Sequence, residues 1–179
     1  MQTLQTQNQG FTALELMMAM AIVAIILATG VPALRNYGDN LRMKTAMDTL
    51  HMDLVLARSH AVSHNTQTVM CPAPTADMCA ANPVWQHGWI VFTDLSGDRQ
   101  KQTGEPLLKR ANAVEFLEIS SPASRSNLRF YPNGTAAGSN ATILFCDKRG
   151  ATNAGRIIIS NTGRIRTKTA GSNQKLACP

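Results

Sequence analysis

Residues 10–34 read GFTALELMMAMAIVAIILATGVPAL, and this stretch sets the architecture of the chain. From Leu16 to Leu34 there are 19 residues without a charged side chain, close to the roughly 20 residues that an α-helix needs to cross the hydrocarbon core of a bilayer. The run is too long for the apolar region of a secretory signal peptide, and no A-x-A-type cleavage site follows it. The stretch therefore predicts a membrane-spanning helix.

An acidic residue, Glu15, lies one turn into this apolar segment. A bare carboxylate in the bilayer is unfavourable by several kcal/mol, so such residues are usually paired with a positive charge. An ordinary membrane anchor offers Glu15 no partner. A suitable partner is a newly formed positive charge on a neighbouring chain.

Gly10-Phe11-Thr12, followed by Glu15 and the apolar helix, resembles the class III leader of type IV pilins and type II secretion pseudopilins. The resemblance implies that a prepilin peptidase in the membrane cuts between Gly10 and Phe11 and methylates the new amino terminus of Phe11. It also implies that Glu15 neutralises the α-amino group of an adjacent subunit during filament assembly. The leader MQTLQTQNQ departs from the family pattern because it contains no Lys or Arg.

The helix is expected to continue beyond the membrane, over roughly residues 12–63. Apolar residues recur there at steps of three and four, the period of a helix with one buried face. These residues are Leu34, Tyr37, Leu41, Met47, Leu50, Leu54, Ala57 and Ala61. The resemblance implies an interruption of the helix near Gly30 and Pro32. The predicted layout has four segments: a leader at 1–10, a transmembrane helix at 11–34, an amphipathic helix at 35–64 and a β-rich globular domain at 65–179.

After residue 64 the pattern changes to short runs rich in β-branched and aromatic residues, separated by Gly, Pro, Asn and Ser. The runs are TQTVMC, GWIVFTD, AVEFLEI, LRFYPNG, ATILFCD, RIIIS and GRIRTK. They predict an α+β, pilin-like fold in which an antiparallel sheet of about six or seven strands packs against the long helix.

The four cysteines, at positions 71, 79, 146 and 178, form no CxxC pair, which disfavours a zinc site. An even number without metal-binding spacing is typical of disulfides in an oxidising compartment. Three connectivities are possible, of which we prefer the pairing of near neighbours, Cys71 with Cys79 and Cys146 with Cys178.

The segments GWIVF, RFYPNG and ISNTGRIR resemble the GspH/FimT group of minor pilins and pseudopilins, FimT most closely, and the likeness extends over nearly the whole chain. The resemblance implies a single-pass protein of the bacterial inner membrane with a periplasmic globular domain. It also implies later assembly with other major and minor pilins into a surface filament. Whether that filament serves DNA uptake, motility or type II secretion stays open.

No catalytic triad, pair of catalytic acids or phosphate-binding loop stands out, so we expect neither enzymatic activity nor a cofactor. His60 and His64 have the i, i+4 spacing of metal ligands, but no third ligand is evident and no metal site is predicted.

Loop 94–105 has the spacing of a calcium-binding loop at positions 1, 3, 5 and 12, which are Asp94, Ser96, Asp98 and Glu105. The sixth position, where such loops need glycine, is Arg99. A surface turn is therefore the favoured interpretation, with calcium as the alternative.

The excess positive charge lies at the end of the chain. Residues 1–144 carry ten basic and ten acidic side chains, whereas residues 145–179 carry seven basic side chains against Asp147 alone. The whole formal charge of +6 therefore comes from the last fifth of the sequence. The seven basic residues are Lys148, Arg149, Arg156, Arg164, Arg166, Lys168 and Lys175.

Three of these cations are predicted to share one face of a β-hairpin, with strands at 156–160 and 164–168. The turn at 161–163 ends in Gly163, which supplies the positive φ that such turns need. Side chains alternate along a strand, which places Ile165 on one face and Arg164, Arg166 and Lys168 on the other. Alternate residues are about 7 Å apart, close to the spacing of phosphates along one DNA strand, and arginine binds phosphate bidentately.

Three interpretations of this face are open: protection of an edge strand against aggregation, a solvated basic face without a partner, or binding of nucleic acid. Gly163-Arg164-Ile165-Arg166 resembles a Gly-Arg-x-Arg motif associated with DNA binding in FimT, a minor pilin of natural transformation. The resemblance implies a DNA-binding role for Arg164 and Arg166. Charge and proximity add five candidates: Lys148, Arg149, Arg156, Lys168 and Lys175. Contacts to phosphates would make binding of double-stranded DNA independent of sequence and sensitive to salt.

Overall fold

The structure is a computed structural model that describes residues 10, 12–75, 77–151, 153–169 and 178. The cleavage and methylation predicted at Phe11 and the DNA contact predicted at Lys175 lie outside the described residues. Contacts divide the chain into two units, the first ending at Asn40 and the second beginning at Leu41.

Helix α1 spans Ala13–Ser63, 51 residues, in close agreement with the predicted helix. Thr12 caps it, since its Oγ1 accepts a hydrogen bond from the backbone N–H of Glu15 at 3.3 Å, as in the first half of a capping box. The helix continues through Gly30 and Pro32, so the interruption implied by the resemblance is not found. Proline removes one backbone donor, but its fixed φ of about −65° is a helical value.

The first unit is an apolar helix long enough to cross a membrane, with a mean hydropathy of 2.3 over its most apolar 18 residues, none of which is buried. Leu34, Tyr37 and Leu41 are also exposed, by 71%, 69% and 53%. The prediction that these three continue the buried face is wrong, because the buried face of α1 starts at Met43.

From Met43 onward, α1 buries one face at steps of three and four. Its buried apolar residues are Met43, Ala46, Met47, Leu50, Leu54, Ala57 and Ala61. Asp53 is buried too, and its Oδ2 accepts a hydrogen bond from Nε1 of buried Trp89 at 2.8 Å. This bond ties the helix to a strand and satisfies both polar groups, which would otherwise be costly to bury.

Eight strands follow the helix: β1 (Gln67–Pro72), β2 (Trp89–Asp94), β3 (Leu107–Ala111), β4 (Glu118–Ser120), β5 (Leu128–Phe130), β6 (Ala141–Cys146), β7 (Gly155–Ile159) and β8 (Ile165–Thr169). A short 3₁₀ helix, Ala123–Arg125, lies between β4 and β5. The strands form two four-stranded antiparallel sheets rather than one: sheet A, in the order β3-β2-β1-β5, and sheet B, in the order β4-β6-β7-β8.

Two local features explain the differences from the predicted strands. β3 was missed because LLKRA is mostly exposed and lacks an alternating apolar pattern. Of the run AVEFLEI, only Glu118 and Ile119 belong to a strand, because Phe116 has φ 65° and a left-handed residue cannot continue an extended strand.

The main core lies between the second half of α1 and both sheets. Its large side chains include Trp85, Trp89, Phe130 and Phe145. A second cluster, made of Val69, Cys71, Ala73, Ile90 and Phe92, covers the other face of sheet A. Strand β2 is therefore buried on both faces.

The described residues contain two disulfides. Cys71 and Cys79 are bonded with their Cα atoms 5.4 Å apart, and Cys146 and Cys178 with their Cα atoms 5.9 Å apart. These are the two pairings that the sequence analysis prefers. The second bridge attaches position 178 to the end of β6.

Candidate nucleic-acid interface

The β7–β8 hairpin forms the edge of sheet B, with β8 as the last strand. Its turn is closed by hydrogen bonds from Gly163 N–H to Ser160 O at 2.9 Å and from Ser160 N–H to Arg164 O at 3.0 Å. Gly163 has φ 76°, the conformation that the sequence predicts for it. Each strand is displaced by one residue from its predicted range, while the turn lies where it is expected.

The hairpin turn is locked onto a neighbouring loop. A Cβ atom on Gly163 would lie 2.0 Å from the backbone oxygen of Gly134, far inside contact distance. The backbone N–H of Ala136 donates to the oxygen of Asn161 at 2.9 Å. Only glycine fits at position 163, so the turn is held in one place.

The strand register assigns the two faces of β8. Thr167 pairs with Ile157 and Ile165 with Ile159, and both isoleucines of β7 belong to the core. His51 Nδ1 of α1 also lies 2.9 Å from Thr167 Oγ1. Ile165 and Thr167 therefore face the helix, and Arg166 and Lys168, which alternate with them, face outward.

Arg166 and Lys168 are on the outward face, and Arg164 precedes them at the turn; all three are exposed. Arg156 of β7 pairs directly with Lys168. Five residues of a strand extend about 16 Å, a length that covers two to three phosphates of one DNA strand. The strand register thus agrees with the alternation that the sequence predicts for Arg166 and Lys168.

The other predicted cations differ in their surroundings. Arg156 is half-buried and makes interactions within the chain. Lys148 is exposed, also interacts within the chain, and lines a groove with the Cys146–Cys178 bridge.

Arg149 is bound by a carboxylate. Its backbone N–H and its Nε donate to the two carboxylate oxygens of Asp147 at 2.8 and 2.9 Å, and its side chain is only 15% exposed. Its charge is therefore locally neutralised. This pairing makes Arg149 less available to a phosphate than an exposed, unneutralised arginine would be.

The structure adds a cation that the sequence analysis did not select. Arg58 of α1 is exposed, and its Nε donates to the backbone oxygen of Gly134 at 2.9 Å. Arg58 thus lies beside the hairpin turn, although 106 positions separate it from Arg164. No sequence pattern signals this proximity, because it arises from the packing of α1 against the loop.

Loop 94–105 directs its carboxylates at its own backbone. Glu105 Oε1 accepts from the N–H groups of Leu95 at 2.9 Å and Ser96 at 3.1 Å, and Oε2 accepts from Gln102 N–H at 2.9 Å. Asp94 accepts from Gly97 N–H at 2.8 Å. These bonds close a turn and account for the acidic spacing.

His60 and His64 stack with ring centroids 4.0 Å apart and planes 14° apart. Burial lowers the pKa of His60, and the neighbouring His64 adds to this. Two nearly parallel rings cannot both aim a nitrogen lone pair at one ion. Among the residues that the structure describes, no group of three or more His, Cys, Asp or Glu side chains is placed to hold a metal.

Residues 46–163 match the protein family described as "Type II transport protein GspH". The match ends at Gly163, so Arg164 is the first residue beyond it and Arg166 is the third. No curated protein sequence gives a significant match.

Solved structures with a similar fold are minor pilins and pseudopilins. The type IV minor pilin FimU of Pseudomonas aeruginosa has a TM-score of 0.61 and 20% identity, covering 78% of this chain and 96% of FimU. The minor pseudopilin EpsH from the type II secretion system of Vibrio cholerae has a TM-score of 0.51 and 13% identity, covering 73% of this chain and 98% of EpsH. At these identities the likeness concerns the fold.

Proposed function

The chain belongs to the GspH family of minor pilins and pseudopilins, and on this premise we propose that it is a minor type IV pilin that binds extracellular double-stranded DNA through its β7–β8 hairpin. Binding of this kind serves DNA uptake in natural transformation. The observation that carries the proposal is the exposed row formed by Arg164 at the hairpin turn and by Arg166 and Lys168 on edge strand β8, next to a turn that packs against Gly134.

The chemistry of this row suits a polyanion without a fixed sequence. Guanidinium and ammonium groups bind phosphate oxygens, which every nucleotide carries, so such contacts position DNA without reading its bases. With about three to five phosphate contacts, the logarithm of the binding constant falls with the logarithm of salt concentration with a slope of about −3 to −5. Several subunits in one filament would strengthen weak single sites.

The test is DNA binding by the full chain in a non-ionic detergent, measured by fluorescence anisotropy with labelled duplexes of two unrelated sequences. The double variant Arg164→Gln/Arg166→Gln is expected to lower the salt slope by about 2. The matched control is Lys101→Gln/Lys109→Gln, which also removes two positive charges, but from sheet A and its adjacent loop. Equal binding by the Arg164→Gln/Arg166→Gln variant and the parent would remove the hairpin from consideration.

The second candidate function is structural: a minor pilin or type II secretion pseudopilin that primes or caps a filament without binding DNA. The fold likeness to EpsH and the exposed apolar first unit favour it. Under this alternative the basic edge docks an acidic partner or prevents aggregation, and the parent chain does not bind either duplex. Contacts with other pilins are common to both candidates, because the family consists of filament subunits.

We also propose the maturation that the amino-terminal motif implies: the prepilin peptidase removes residues 1–10 and methylates Phe11, residues 11–34 span the inner membrane, and Glu15 pairs with a neighbouring amino terminus. Helix 35–64 and domain 65–179 would then lie in the periplasm before assembly. Intact-mass spectrometry of the chain co-expressed with a prepilin peptidase is expected to show loss of residues 1–10 and gain of one methyl group. An uncut chain would make it an ordinary membrane-anchored protein.

A further inference from the structure

The guanidinium of Arg58 lies against the turn that carries the proposed DNA contacts. We infer that Arg58 binds the same DNA backbone as the hairpin, so that the site spans helix α1 and strand β8. This inference rests on the proposed function of the hairpin.

The distances place Arg58 beside Arg164. The Nε of Arg58 donates a hydrogen bond to Gly134 O at 2.9 Å. The same Nε lies 3.1 Å from the position that a Cβ atom on Gly163 would occupy. Because successive Cα atoms are about 3.8 Å apart, the Arg58 Nε lies within roughly 8.5 Å of the Arg164 Cα. This upper limit places the Arg58 guanidinium near enough to Arg164 for the two side chains to reach neighbouring phosphates of one DNA strand.

Arg58 is accessible and keeps its charge. Its side chain is exposed, and it borders an open depression of about 300 Å³ lined by Val55, Arg58, Ser59, Val62 and Ser63. The bond to Gly134 uses one of five guanidinium donors and ends on a neutral carbonyl. Arg149 is the contrasting case, because its partner is the Asp147 carboxylate.

The bond to Gly134 also orients Arg58. The same carbonyl oxygen packs against Gly163, so one peptide group sets both the turn and the guanidinium of the helix. A preoriented arginine loses less conformational entropy when it binds than a free side chain does. The DNA-binding surface therefore starts on α1, passes over the turn and continues along β8.

The experiment compares Arg58→Gln, Arg58→Lys and the single-charge control Lys109→Gln in the full chain in non-ionic detergent, with the same duplexes across a salt series. Arg58→Gln is expected to lower the salt slope by about 1 and to weaken binding roughly fivefold near physiological salt. Arg58→Lys keeps the charge and is expected to retain most of the slope. Lys109→Gln is expected to behave like the parent.

The outcomes separate this inference from the proposed function. A parent-like slope for Arg58→Gln overturns the inference alone, provided that Arg164→Gln/Arg166→Gln still loses binding. An equal loss of slope in Arg58→Lys and Arg58→Gln also overturns it, because the residue would then act through the position of the turn rather than through its charge. Failure of the parent chain to bind DNA overturns both proposals. Urea denaturation of each variant identifies any loss that comes from unfolding.

Discussion

In loop 94–105 the side chains of Asp94 and Glu105 accept hydrogen bonds from the backbone of their own loop, whereas Arg164, Arg166 and Lys168 of the β7–β8 hairpin are exposed to solvent. Glu105 is buried and accepts from three backbone N–H groups. Arg164 and Arg166 are exposed, and the hairpin turn keeps its shape through backbone bonds and Gly163.

The comparison teaches that a charged turn is free to bind a partner only when something else holds its shape. In the loop, the Glu105 carboxylate itself holds the shape, since removing it leaves three backbone N–H groups without an acceptor. In the hairpin, the close packing of Gly163 against Gly134 holds the shape of the turn instead.

The largest effect is expected for Gly163→Ala. The new Cβ would lie 2.0 Å from the oxygen of Gly134, and the residue would hold φ 76°. We expect a loss of about 2–4 kcal/mol in the free energy of unfolding, measured by urea denaturation, together with weaker DNA binding. Gly97→Ala is the matched control, with φ 78° but with no described atom beyond its chain neighbours within 4 Å of its Cβ position, and should cost about 1 kcal/mol. Equal costs would show that the approach to Gly134 is unimportant.

A smaller loss is expected for Glu105→Ala, which leaves the N–H groups of Leu95, Ser96 and Gln102 without their acceptor. The free energy of unfolding should fall by about 1–3 kcal/mol. DNA binding at neutral pH should stay within about twofold of the parent, because the hairpin does not depend on this loop. Asp98→Ala, at an exposed position of the same loop, serves as the control. A large loss of DNA binding in Glu105→Ala would contradict the separation of the two regions.

The pH dependence of stability should come from the loop. Burial raises the pKa of Glu105, but the hydrogen bonds from Gln102, Ser96 and Leu95 outweigh it and bring the pKa below the ordinary value of 4.5. A carboxyl with a lowered folded-state pKa contributes stability above its ordinary value and loses it as the pH falls through the folded value. As the pH falls below about 4.5, the urea midpoint of the parent should therefore fall more steeply than that of Glu105→Gln. Parallel curves would assign the acid sensitivity to other groups.

The smallest effect on stability is expected for Arg164→Gln/Arg166→Gln. Both side chains are exposed, and such surface substitutions usually change the free energy of unfolding by less than about 0.5 kcal/mol. The thermal midpoint should match that of Lys101→Gln/Lys109→Gln. A clearly destabilised double variant would mean that these arginines support the fold, and its DNA-binding result would then need the unfolded fraction taken into account.

Local patterns in the sequence were enough to predict several features. The apolar run and the period of three and four residues that follows it together predict α1 to within one residue at each end. Turn chemistry predicts Gly163 at positive φ, and strand alternation predicts Arg166 and Lys168 on one face. Each of these signals depends on residues within a few positions of one another, so it can be read before the chain is folded.

Contacts between distant residues were decided only by tertiary packing. Two sheets form instead of one, Asp53 is buried against Trp89, and Arg58 lies beside the hairpin turn. None of these follows from a local pattern, because each depends on which surfaces α1 and the strands bury against one another. Periodicity shows that a residue has a buried or an exposed side, and only the packed core determines which residue lies opposite it.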